Sequence, residues 1–370
     1  MIDTKTTGVD VAIESIAVSA YRINTDYPES DGTIKWDSTT LVLVEAEGGG
    51  RTGIGYTYAD QATAMLIRDT LADVVQARDA MAITGAWVAM VHAVRNLGRP
   101  GIASMAISAV DNALWDLKCR LLDLPLCSLL GMARESAPVY GSGGFTSYSL
   151  EQLQLQLGGW VASGIPRVKM KVGRQPSEDI ERVRFVRDAI GAAAQLFVDA
   201  NGAYSRKEAM AKAEAFVDVG VTWFEEPVPA DDLIGLHLLR DRAPAGMDIA
   251  AGEYGYEPVY FRRMLQAEAV DVLQADASRC GGITGFLNAA ALCEAHFIPL
   301  SAHCAPSLHV HPGCAVPRFR HLEYFHDHVR IERMMFDGAL TPVQGTIQPD
   351  LTRPGFGLDF KHSDARQFAI

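Results

Sequence analysis

The sequence predicts an α/β protein: a modified (β/α)8 TIM-type barrel preceded by an α+β N-terminal capping domain. Between Lys169 and Glu323, seven short apolar segments each end in a charged or ionisable side chain. A strand, its loop and a covering helix need about 30 residues, since a whole barrel takes about 250. The charged ends follow one another at steps of 20 to 28 residues, at Lys171, Asp199, Glu225, Glu253, Asp276, His303 and Glu323. Each charged residue therefore indicates one βα unit, with the charge at the carboxyl end of its strand.

An earlier apolar segment, Ala137–Gly141, supplies the first of the eight strands. We therefore place the catalytic barrel at residues 136–344. The capping domain is placed at residues 1–135. The C-terminal segment 345–370 has little periodicity and is predicted to return and complete the capping domain.

The N-terminal part shows strand patterns followed by helical patterns. Val11–Val18 and Thr39–Glu45 are rich in β-branched residues, which favours strands. The glycine-rich tract Gly48–Gly53 lacks the pattern of a phosphate-binding loop and is typical of a hairpin turn. The polar stretch Tyr21–Trp36 is interpreted as a loop. Residues 62–130 are predicted to be helical, with Ile107, Val110, Leu114, Leu117 and Leu121 forming an apolar stripe.

The composition limits the possible partners. The chain has 370 residues, 48% hydrophobic content and a formal net charge of −12, which argues against nucleic acid and anionic membranes. No sequence segment is apolar over the length of a bilayer, and the first residues do not resemble a signal peptide. The six cysteines form no C-x-x-C pair, so reduced thiols are expected. We therefore predict a soluble, cytoplasmic protein without membrane or nucleic-acid partners.

Three carboxylates are predicted to lie side by side at the rim of the barrel. Asp199, Glu225 and Glu253 end three successive strands, and the carboxyl ends of barrel strands carry the active site. Converging carboxylates repel one another unless a cation lies between them. Hard oxygen ligands in this number suit Mg²⁺. The alternative is a structural network in which each carboxylate pairs with an arginine, which explains three consecutive strand ends poorly.

Acid–base candidates are predicted on both sides of these carboxylates. Lys169 and Lys171 are two residues apart in one strand, so both side chains point into the barrel, where each lowers the pKa of the other. Asp276 and His303 end adjacent strands, and a carboxylate next to an imidazole fixes its tautomer. Glu323, on the last strand, is expected to hydrogen-bond the substrate as negative charge develops, which requires a raised pKa.

Two other features favour structural explanations. His309 and His311 form an H-x-H pattern after the seventh strand, and ordinary loop histidines are favoured over a second metal site. Cys304 and Cys280 lie near the predicted rim, but no base has the spacing that would activate either as a nucleophile. Both cysteines are therefore interpreted as packed thiols.

Together these residues resemble the enolase superfamily, and within it the mandelate racemase subgroup. The similarity spans nearly the whole chain and rests on Ser108–Lys118, Lys169-Met170-Lys171, Asp199-Ala200-Asn201, Glu225-Glu226-Pro227, Gly252-Glu253, Asp276, Gly281–Thr284, His303 and Glu323. At the third acidic position this sequence has a glutamate, Glu253, as the mandelate racemase subgroup does. The glucarate dehydratase subgroup has an asparagine there. Muconate lactonising relatives, with a lysine on strand six and no histidine after strand seven, match less well.

The resemblance implies a role for each of these residues. Asp199, Glu225 and Glu253 would bind one Mg²⁺, while Lys171 and His303, the latter supported by Asp276, would be the acid–base pair. Lys169 would assist the metal in binding the substrate carboxylate, and Glu323 would stabilise the intermediate. The implied chemistry is removal of the proton α to a carboxylate, giving an ene-diolate. Homo-oligomers are often formed by such barrels, and we expect one here.

The reaction that follows proton removal is left open by the barrel residues, because the same two bases serve dehydration and racemisation. The segments 21–36 and 56–60 are rich in hydrogen-bonding groups and are interpreted as a lid over the substrate. A polar lid favours an acid-sugar (aldonate or aldarate) dehydratase that gives a 2-keto-3-deoxy acid. The alternative is that these segments are polar only because loops face water. Candidate substrate-binding residues are Tyr27, Tyr56, Asn201 and Glu226. The alternatives are a racemase or epimerase of a 2-hydroxy acid and, more remotely, a non-catalytic barrel protein.

Overall fold

The N-terminal part contains an antiparallel sheet packed on helices in the computed structural model, which describes residues 11–370. The sheet is a meander of three strands, β1 (Ser15–Ser30), β2 (Lys35–Gly48) and β3 (Arg51–Tyr58). The helices that follow are α1 (Gln61–Leu66), continued by a π-helical turn at Ile67–Leu71, α2 (Ala72–Val75), α3 (Ile83–Ala93), α4 (Ile102–Leu122) and α5 (Leu126–Leu130). The predicted order of strands and then helices is confirmed.

The interpretation of residues 21–36 as a loop is wrong, because most of this stretch forms a β-hairpin. β1 continues to Ser30 and β2 begins at Lys35, with a register shift between Asn24 and Glu29. Tyr21 and Ile23 are buried while Arg22 and Asn24 are exposed, which is the alternation of a strand. The polar side chains on the outer face concealed this alternation in the sequence.

Helix α4 packs against β3 with unusually close backbone contact. A Cβ atom at Gly55 would lie 2.3 Å from the carbonyl oxygen of Ala109, and one at Gly53 would lie 2.2 Å from the amide nitrogen of Leu117. Both positions therefore require glycine, since any side chain would separate the helix from the sheet. The predicted apolar stripe of α4 faces this sheet, with Val110 and Leu114 buried.

Eight parallel strands form the closed barrel that the sequence predicts. Each strand pairs with the next, and the last pairs with the first, so no edge is left open. The strands are β4 (Ala137–Gly143), β5 (Arg167–Lys171), β6 (Gln195–Asp199), β7 (Val221–Glu225), β8 (Asp248–Ala251), β9 (Val272–Ala275), β10 (Leu300–Ala302) and β11 (Phe319–Phe325). Aromatic side chains, among them Tyr140, Phe197 and Trp223, fill the interior below the rim. The barrel is thus a packed support for groups at its carboxyl end.

Helices follow each barrel strand and cover the outside. They are α6 (Leu150–Leu153), continued by a π-helical turn at Gln154–Gly158, α7 (Gly159–Ala162), α8 (Asp179–Ile190), α9 (Arg206–Val217), α10 (Leu233–Arg242), α11 (Pro258–Gln266), α12 (Gly282–Ala295), α13 (Pro306–Ala315) and α14 (His326–Met335). Ser205 and Glu208 form a reciprocal capping box at the start of α9. No helix within residues 11–370 is long and apolar enough to cross a bilayer. All six cysteines are buried and unpaired.

The C-terminal segment runs back to the N-terminal sheet. Its elements are β12 (Phe336–Asp337), β13 (Thr346–Ile347), β14 (Asp359–Phe360), α15 (His362–Ala365) and a 3₁₀ turn at Arg366–Phe368. The amide of Ile370 donates a hydrogen bond of 3.0 Å to the carbonyl of Ala20 in β1. This contact supports the assignment of the end of the segment to the capping domain, whereas Thr346–Ile347 pairs with β4 of the barrel. The domain limits remain a prediction, and residues 1–10 of the first domain lie outside the described part.

Asp116 connects the helices, the N-terminal sheet and the C-terminal segment. Its buried carboxylate accepts hydrogen bonds from the amides of Ile54 and Phe356, each at 2.8 Å, and from Arg120 Nε at 2.7 Å. Asp116→Ala leaves these donors without partners, so we expect the free energy of unfolding to fall by about 3–5 kcal/mol. Denaturant titration followed by circular dichroism measures this loss.

The matched control for this prediction is Asp359→Ala. Asp359 pairs with Arg120 from the solvent side at 3.1 Å and is more than half exposed. We expect this exposed pair to contribute less than about 1 kcal/mol. Equal losses of unfolding free energy in the two variants would show that Asp116 is an ordinary surface partner of Arg120.

Candidate active site

Three acidic side chains converge at the carboxyl end of the barrel. Asp199 and Glu225 are paired neighbours at the ends of β6 and β7, and Glu253 follows β8. One carboxylate oxygen from each residue lies within 4.8 Å of the other two, and all three side chains are buried. Gly252 has a φ of 137°, and a Cβ atom there would lie 2.1 Å from the carbonyl of Gln274. Only glycine lets the chain turn here and bring Glu253 to the group.

The chemistry of this carboxylate trio fits a divalent cation. Glu253 Oε2 is buried without a hydrogen-bond partner, although burial of an unpaired charged oxygen is costly. Burial and the nearby charge of Asp199 raise the pKa of Glu225 well above its usual range. Three hard oxygen donors around one point are the ligands that Mg²⁺ prefers. Asp199, Glu225 and Glu253 would hold that ion.

Both lysines of β5 point into the barrel, and each contacts the trio. Lys169 Nζ lies 2.5 Å from Glu225 Oε1 and 2.8 Å from Glu323 Oε1, completely buried. Lys171 Nζ lies 2.5 Å from Asp199 Oδ2. Lys171 therefore lies at the Asp199 end of the trio, and Lys169 lies deeper in the barrel, below the trio.

Repulsion from Lys169 does lower the pKa of Lys171, as expected, but it does not decide the net shift. Burial is the largest single influence and lowers the pKa of Lys171, but the combined attraction of Asp199, Glu253 and Glu225 outweighs burial and the repulsion from Lys169. The pKa of Lys171 therefore lies above its usual value. For Lys169, burial is likewise outweighed by Glu225 and Glu323, and its pKa is raised well above the usual value. Each lysine is therefore attracted by carboxylates of other strands more strongly than it is repelled by the other lysine.

His303 lies at the opposite end of the trio from Lys171. Its Nε2 is 3.5 Å from Glu253 Oε2, and its Nδ1 is 2.8 Å from Asp276 Oδ2. Asp276 also accepts a hydrogen bond from the amide of Ser278 at 2.7 Å. Although burial raises the pKa of Asp276, its hydrogen bond with His303 and the nearby positive charge lower it below the usual range. Asp276 is therefore an ionised partner that holds Nδ1 of His303 protonated and directs Nε2 into the site.

The contact between Asp276 and His303 leads to a prediction about turnover. In Asp276→Asn, the amide no longer selects the tautomer of His303 or stabilises its positive charge, so we expect kcat to fall by about 10²–10⁴-fold. KM is expected to change little, because Asp276 does not line the cavity described below. Steady-state kinetics with separate kcat and KM values measure the effect.

Asp271→Asn is the control for Asp276→Asn. Asp271 lies at the other end of β9, where it pairs with Arg240 and accepts a hydrogen bond from the amide of Ile249. This variant is expected to keep the kcat of the unaltered protein. A rise in KM with unchanged kcat in Asp276→Asn would show that Asp276 positions the substrate and does not act through His303.

Glu323 is placed at the centre of a hydrogen-bond network on β11. Oε1 accepts a hydrogen bond from Ser142 Oγ at 2.5 Å, and Oε2 accepts one from the amide of Cys304 at 3.0 Å. Burial raises the pKa of Glu323, but the charges of Lys169 and His303 outweigh it and lower the pKa well below the usual range. The raised pKa expected for Glu323 is therefore wrong here, because Lys169 lies 2.8 Å away.

A cavity of 380 Å³ opens above the trio and is closed by the N-terminal domain. Its barrel side is lined by residues that include Lys171, Asn201, Glu253, Arg279, His303, Cys304 and Glu323. Its other side is lined by the β1–β2 hairpin and the end of β3, through residues that include Asp31, Trp36, Ser38, Thr39, Thr40, Tyr58 and Asp60. The segments interpreted as a lid do lie over the site.

The four candidate substrate-binding residues are placed differently. Asn201 lines the cavity, next to Asp199. Tyr56 does not: it is fully buried and donates a hydrogen bond of 2.7 Å to Glu332. Tyr27 is exposed on the outside of the hairpin. Glu226 is buried and lines a neighbouring cavity instead. Tyr56 and Tyr58 lie on the same face of β3, and Tyr58, the last residue of the strand, is the one that reaches the cavity.

Arg279 is a residue of the site that the sequence analysis did not single out, while Cys304 lies at the rim, where the sequence placed it. Arg279 lies 3.5 Å from Glu253 and 3.6 Å from Asp276, over the ring of Tyr254. Its position three residues after Asp276 was an available signal, since loops after barrel strands carry active-site groups. Cys304 Sγ lies 3.2 Å from His303 Nε2, and burial raises the pKa of its thiol. The structure thus brings this thiol to the base without an activating charge.

His309 and His311 are buried in α13, so the interpretation as loop histidines is wrong in location. His309 Nε2 accepts a hydrogen bond of 2.8 Å from the amide of Ala277, next to Asp276. His311 Nε2 lies 3.1 Å from the carbonyl of Phe356, where it donates. Burial lowers the pKa of His311 to about 4. The two side chains have separate structural partners and share no metal-binding group among the described residues.

A closed barrel with a carboxylate trio between a lysine and a histidine defines an enzyme that removes a proton next to a metal-bound carboxylate. Residues 152–365 match the family of enolase C-terminal domain-like sequences, and residues 17–131 match the N-terminal domain of mandelate racemase and muconate lactonizing enzyme. The chain belongs to this family, in the mandelate racemase subgroup of the enolase superfamily. The resemblance seen in the sequence is confirmed.

Relatives with stated activities are similar over most of the chain. The 3,6-anhydro-alpha-L-galactonate cycloisomerase of Streptomyces coelicolor is 32% identical over 94% of this chain and 98% of its own length. The L-talarate/galactarate dehydratase of Salmonella typhimurium is 35% identical over 75% of this chain and 70% of its own. Both relatives act on acid sugars by name.

Solved structures agree closely with this fold. A mandelate racemase/muconate lactonizing enzyme-like protein from Rubrobacter xylanophilus has a TM-score of 0.95 and 55% identity, covering 97% of this chain and 100% of that one. A racemase from Streptomyces coelicolor with bound magnesium has a TM-score of 0.91 and 31% identity, with the same coverage. The predicted fold class is confirmed, and magnesium is the metal found in the structure of this relative.

Proposed function

We propose that this protein is a Mg²⁺-dependent lyase that dehydrates an acid sugar to a 2-keto-3-deoxy acid. The observation that carries the proposal is the cavity, which joins a metal-binding trio between two bases to a lid of hydroxyl, indole and carboxylate groups. The acid-sugar activities named for the two relatives support it. Asn201, which lines the cavity next to Asp199, is proposed to bind the substrate.

The first step is removal of the proton on the carbon next to the substrate carboxylate. Mg²⁺, when bound by the trio, supplies positive charge that makes this proton more acidic. Lys169, buried below the trio, adds positive charge where the substrate carboxylate binds. Lys171 and His303 contact opposite ends of the trio, so each reaches one face of the substrate. Mg²⁺ at the trio would offset the carboxylate charges that raise the pKa of Lys171, which would leave its amine free to take the proton. The configuration at Cα decides whether Lys171 or His303 does so.

The second step is loss of the β-hydroxyl group. The electron pair left at Cα forms the Cα–Cβ double bond as the Cβ–O bond breaks, and a general acid protonates the departing oxygen to give water. The resulting enol tautomerises to the 2-keto acid. Glu323 accepts hydrogen bonds from Ser142 and the amide of Cys304, which fix its ionised carboxylate at the rim of the site.

Racemisation or epimerisation is the second candidate function. It is favoured by the same placement of Lys171 and His303, because a base at each end of the trio can return the proton to the opposite face. The Streptomyces coelicolor structure is of a racemase. A lid for an aromatic hydroxy acid is expected to be more apolar than one that presents Ser38, Thr39 and Thr40 to the cavity.

The test is a panel of aldonic and aldaric acids with Mg²⁺, assayed for 2-keto products while solvent deuterium exchange at Cα is followed by NMR. A 2-keto product supports the dehydratase. Exchange with inversion and no 2-keto product supports the racemase or epimerase. The absence of both a 2-keto product and deuterium exchange would contradict both candidate functions. Light scattering of the purified protein tests the predicted homo-oligomer.

A further inference from the structure

Three different kinds of ligand atom meet at one side of the active-site cavity. Cys304 Sγ lies 3.2 Å from His303 Nε2 and 3.4 Å from Glu323 Oε2. His303 Nε2 lies 3.7 Å from the same oxygen of Glu323. A tetrahedral Zn²⁺ with bonds of about 2.0–2.3 Å separates neighbouring ligand atoms by about 3.4–3.6 Å. His303, Cys304 and Glu323, here called the thiol site, therefore have the spacing of three corners of such a tetrahedron.

The backbone after β10 brings two consecutive side chains to the thiol site. Neighbouring residues of an extended strand point to opposite faces. Cys304 has a φ of 54° and Ala305 has a φ of 40°, in the left-handed region that residues with a β-carbon rarely adopt. The turn made by these residues lets His303 and Cys304 both line the cavity, together with Glu323. A metal ion can therefore reach all three side chains from the cavity.

The contacts that orient metal ligands are already present around the thiol site. His303 Nδ1 is hydrogen-bonded to Asp276 at 2.8 Å, which leaves the lone pair of Nε2 directed towards the site. A histidine that binds a metal through one nitrogen usually donates its other N–H to a carboxylate in this way. The carboxylate of Glu323 is held through Oε1 by Ser142 at 2.5 Å and through Oε2 by the amide of Cys304 at 3.0 Å. Both ligands are thus fixed before an ion binds.

The charges around the thiol site are compatible with a second cation. Arg279 and Lys169 offset part of the negative charge, at 3.5 Å from Glu253 and 2.8 Å from Glu323. The further charge comes from Cys304 itself, because its S–H proton passes to the buffer as the sulfur–metal bond forms. Glu253 Oε2, which is buried without a hydrogen-bond partner, lies 3.5 Å from His303 Nε2. Its negative charge is next to both sites and reduces the repulsion between two cations.

The ligand types distinguish the thiol site from the carboxylate trio. Mg²⁺ prefers oxygen ligands, whereas thiolate and imidazole ligands suit Zn²⁺ and other thiophilic ions. The trio offers carboxylate oxygens from Asp199, Glu225 and Glu253, and the thiol site offers one sulfur, one nitrogen and one oxygen. With three protein ligands, the fourth position of a tetrahedral ion is left for water or a substrate oxygen.

We propose that the thiol site binds Zn²⁺ or another thiophilic divalent cation, and that its occupation stops turnover. The ion takes the lone pair of Nε2 that His303 needs to accept a proton from the substrate. The base at this end of the trio is then lost, although Mg²⁺ stays bound to the trio. Binding of the ion is independent of the function proposed above, and only the loss of turnover rests on it.

The binding experiment titrates Cd²⁺ into the protein in excess Mg²⁺ and follows ultraviolet absorption. A thiolate bound to Cd²⁺ gives a charge-transfer band that oxygen and nitrogen ligands do not give. We expect a band that saturates with a single Cd²⁺ per chain and that Cys304→Ala abolishes. Cys293→Ala is the control, because Cys293 is a buried thiol on α12 that does not line the cavity, and it is expected to keep the band. Absence of the band, or its persistence in Cys304→Ala, overturns the proposal.

His303→Asn tests whether the imidazole is a ligand while the thiol is kept. We expect the Cd²⁺ concentration at the midpoint of the band to rise at least about tenfold, since changes even to groups that orient ligands cost 10–100-fold in affinity. His296→Asn, an exposed change at the end of α12, is expected to leave the midpoint unchanged. Circular dichroism confirms folding of each variant. An unaltered midpoint in His303→Asn contradicts the assignment of the ligands.

The consequence for turnover is measured with Zn²⁺ in excess Mg²⁺, and each protein is compared with its own rate without Zn²⁺. We expect half-inhibition of Cys304→Ala to need at least about tenfold more Zn²⁺ than half-inhibition of the unaltered protein. Inhibition of both at the same concentration would show that Zn²⁺ acts at the trio, and the inhibitory role would be wrong. If no acid sugar is converted, the proposed function fails while the Cd²⁺ band still decides the thiol site.

Discussion

Replacement of Lys171 by alanine is expected to lower kcat by at least about 10³-fold while the protein stays folded. Its Nζ contacts Asp199 at one end of the carboxylate trio and lines the cavity, so no other amine reaches this face of the substrate. Loss of the amine removes the base for one configuration at Cα. Steady-state turnover and circular dichroism measure activity and folding, and Lys207→Ala, an exposed change on α9, is the control.

His303→Asn is the counterpart at the other end of the trio, and we expect a loss of kcat of similar size. The two variants are distinguished by solvent deuterium exchange at Cα with substrates of opposite configuration. Lys171→Ala is expected to retain exchange on the face that His303 reaches, and His303→Asn on the face that Lys171 reaches. Full activity in either variant, or loss of the same face in both, would remove the assignment of bases.

Glu253→Gln is expected to weaken Mg²⁺ binding by at least about 100-fold. The substitution removes one negative charge from the trio at the residue whose Oε2 is buried without a partner. Removing even the groups that orient metal ligands typically costs 10–100-fold in affinity, so loss of a ligand charge costs at least the upper value. Calorimetric titration with Mg²⁺ measures the affinity directly. The rise in melting temperature with added Mg²⁺ provides a second readout that does not depend on turnover.

The control for this variant is Glu257→Gln, four residues further along the chain. Glu257 is partly exposed and lies outside the trio, 4.0 Å from Arg99. Its substitution is expected to leave the Mg²⁺ affinity unchanged. Chelation of the metal from the unaltered protein is expected to abolish turnover, and added Mg²⁺ to restore it. An unchanged affinity in Glu253→Gln would show that the ion binds elsewhere.

The spacing of charged strand ends predicted most of the site. Asp199, Glu225 and Glu253 recur at the period of a βα unit, and this period is visible because each strand is short and apolar up to its last residue. Parallel strands in a closed barrel bring all their carboxyl ends to one rim, so order along the chain becomes order around the ring. The same reasoning placed Lys171 and His303 on different sides of the trio, where the structure has them.

The lid was not predictable to the same degree. Residues 21–24 alternate between buried and exposed, but the exposed positions are polar enough to suggest a loop. Tyr56 and Tyr58 lie on the same face of β3, so the strand pattern does not distinguish them, and only the position of the cavity at the end of the strand selects Tyr58. Asp327, which follows the last barrel strand, carries no periodic signal, and only its contact with Trp36 shows its position.

The amino-acid order alone was enough for the fold class, the family and the acidic and basic groups of the rim, because local periodicity and strand-end chemistry repeat with each βα unit. The direction of the pKa shifts of Lys171 and Glu323 came only from the folded chain. Those properties depend on distances of a few ångströms between side chains far apart in the sequence, such as Lys169 and Glu323. Electrostatic interaction changes steeply over such distances, and the sequence does not contain them.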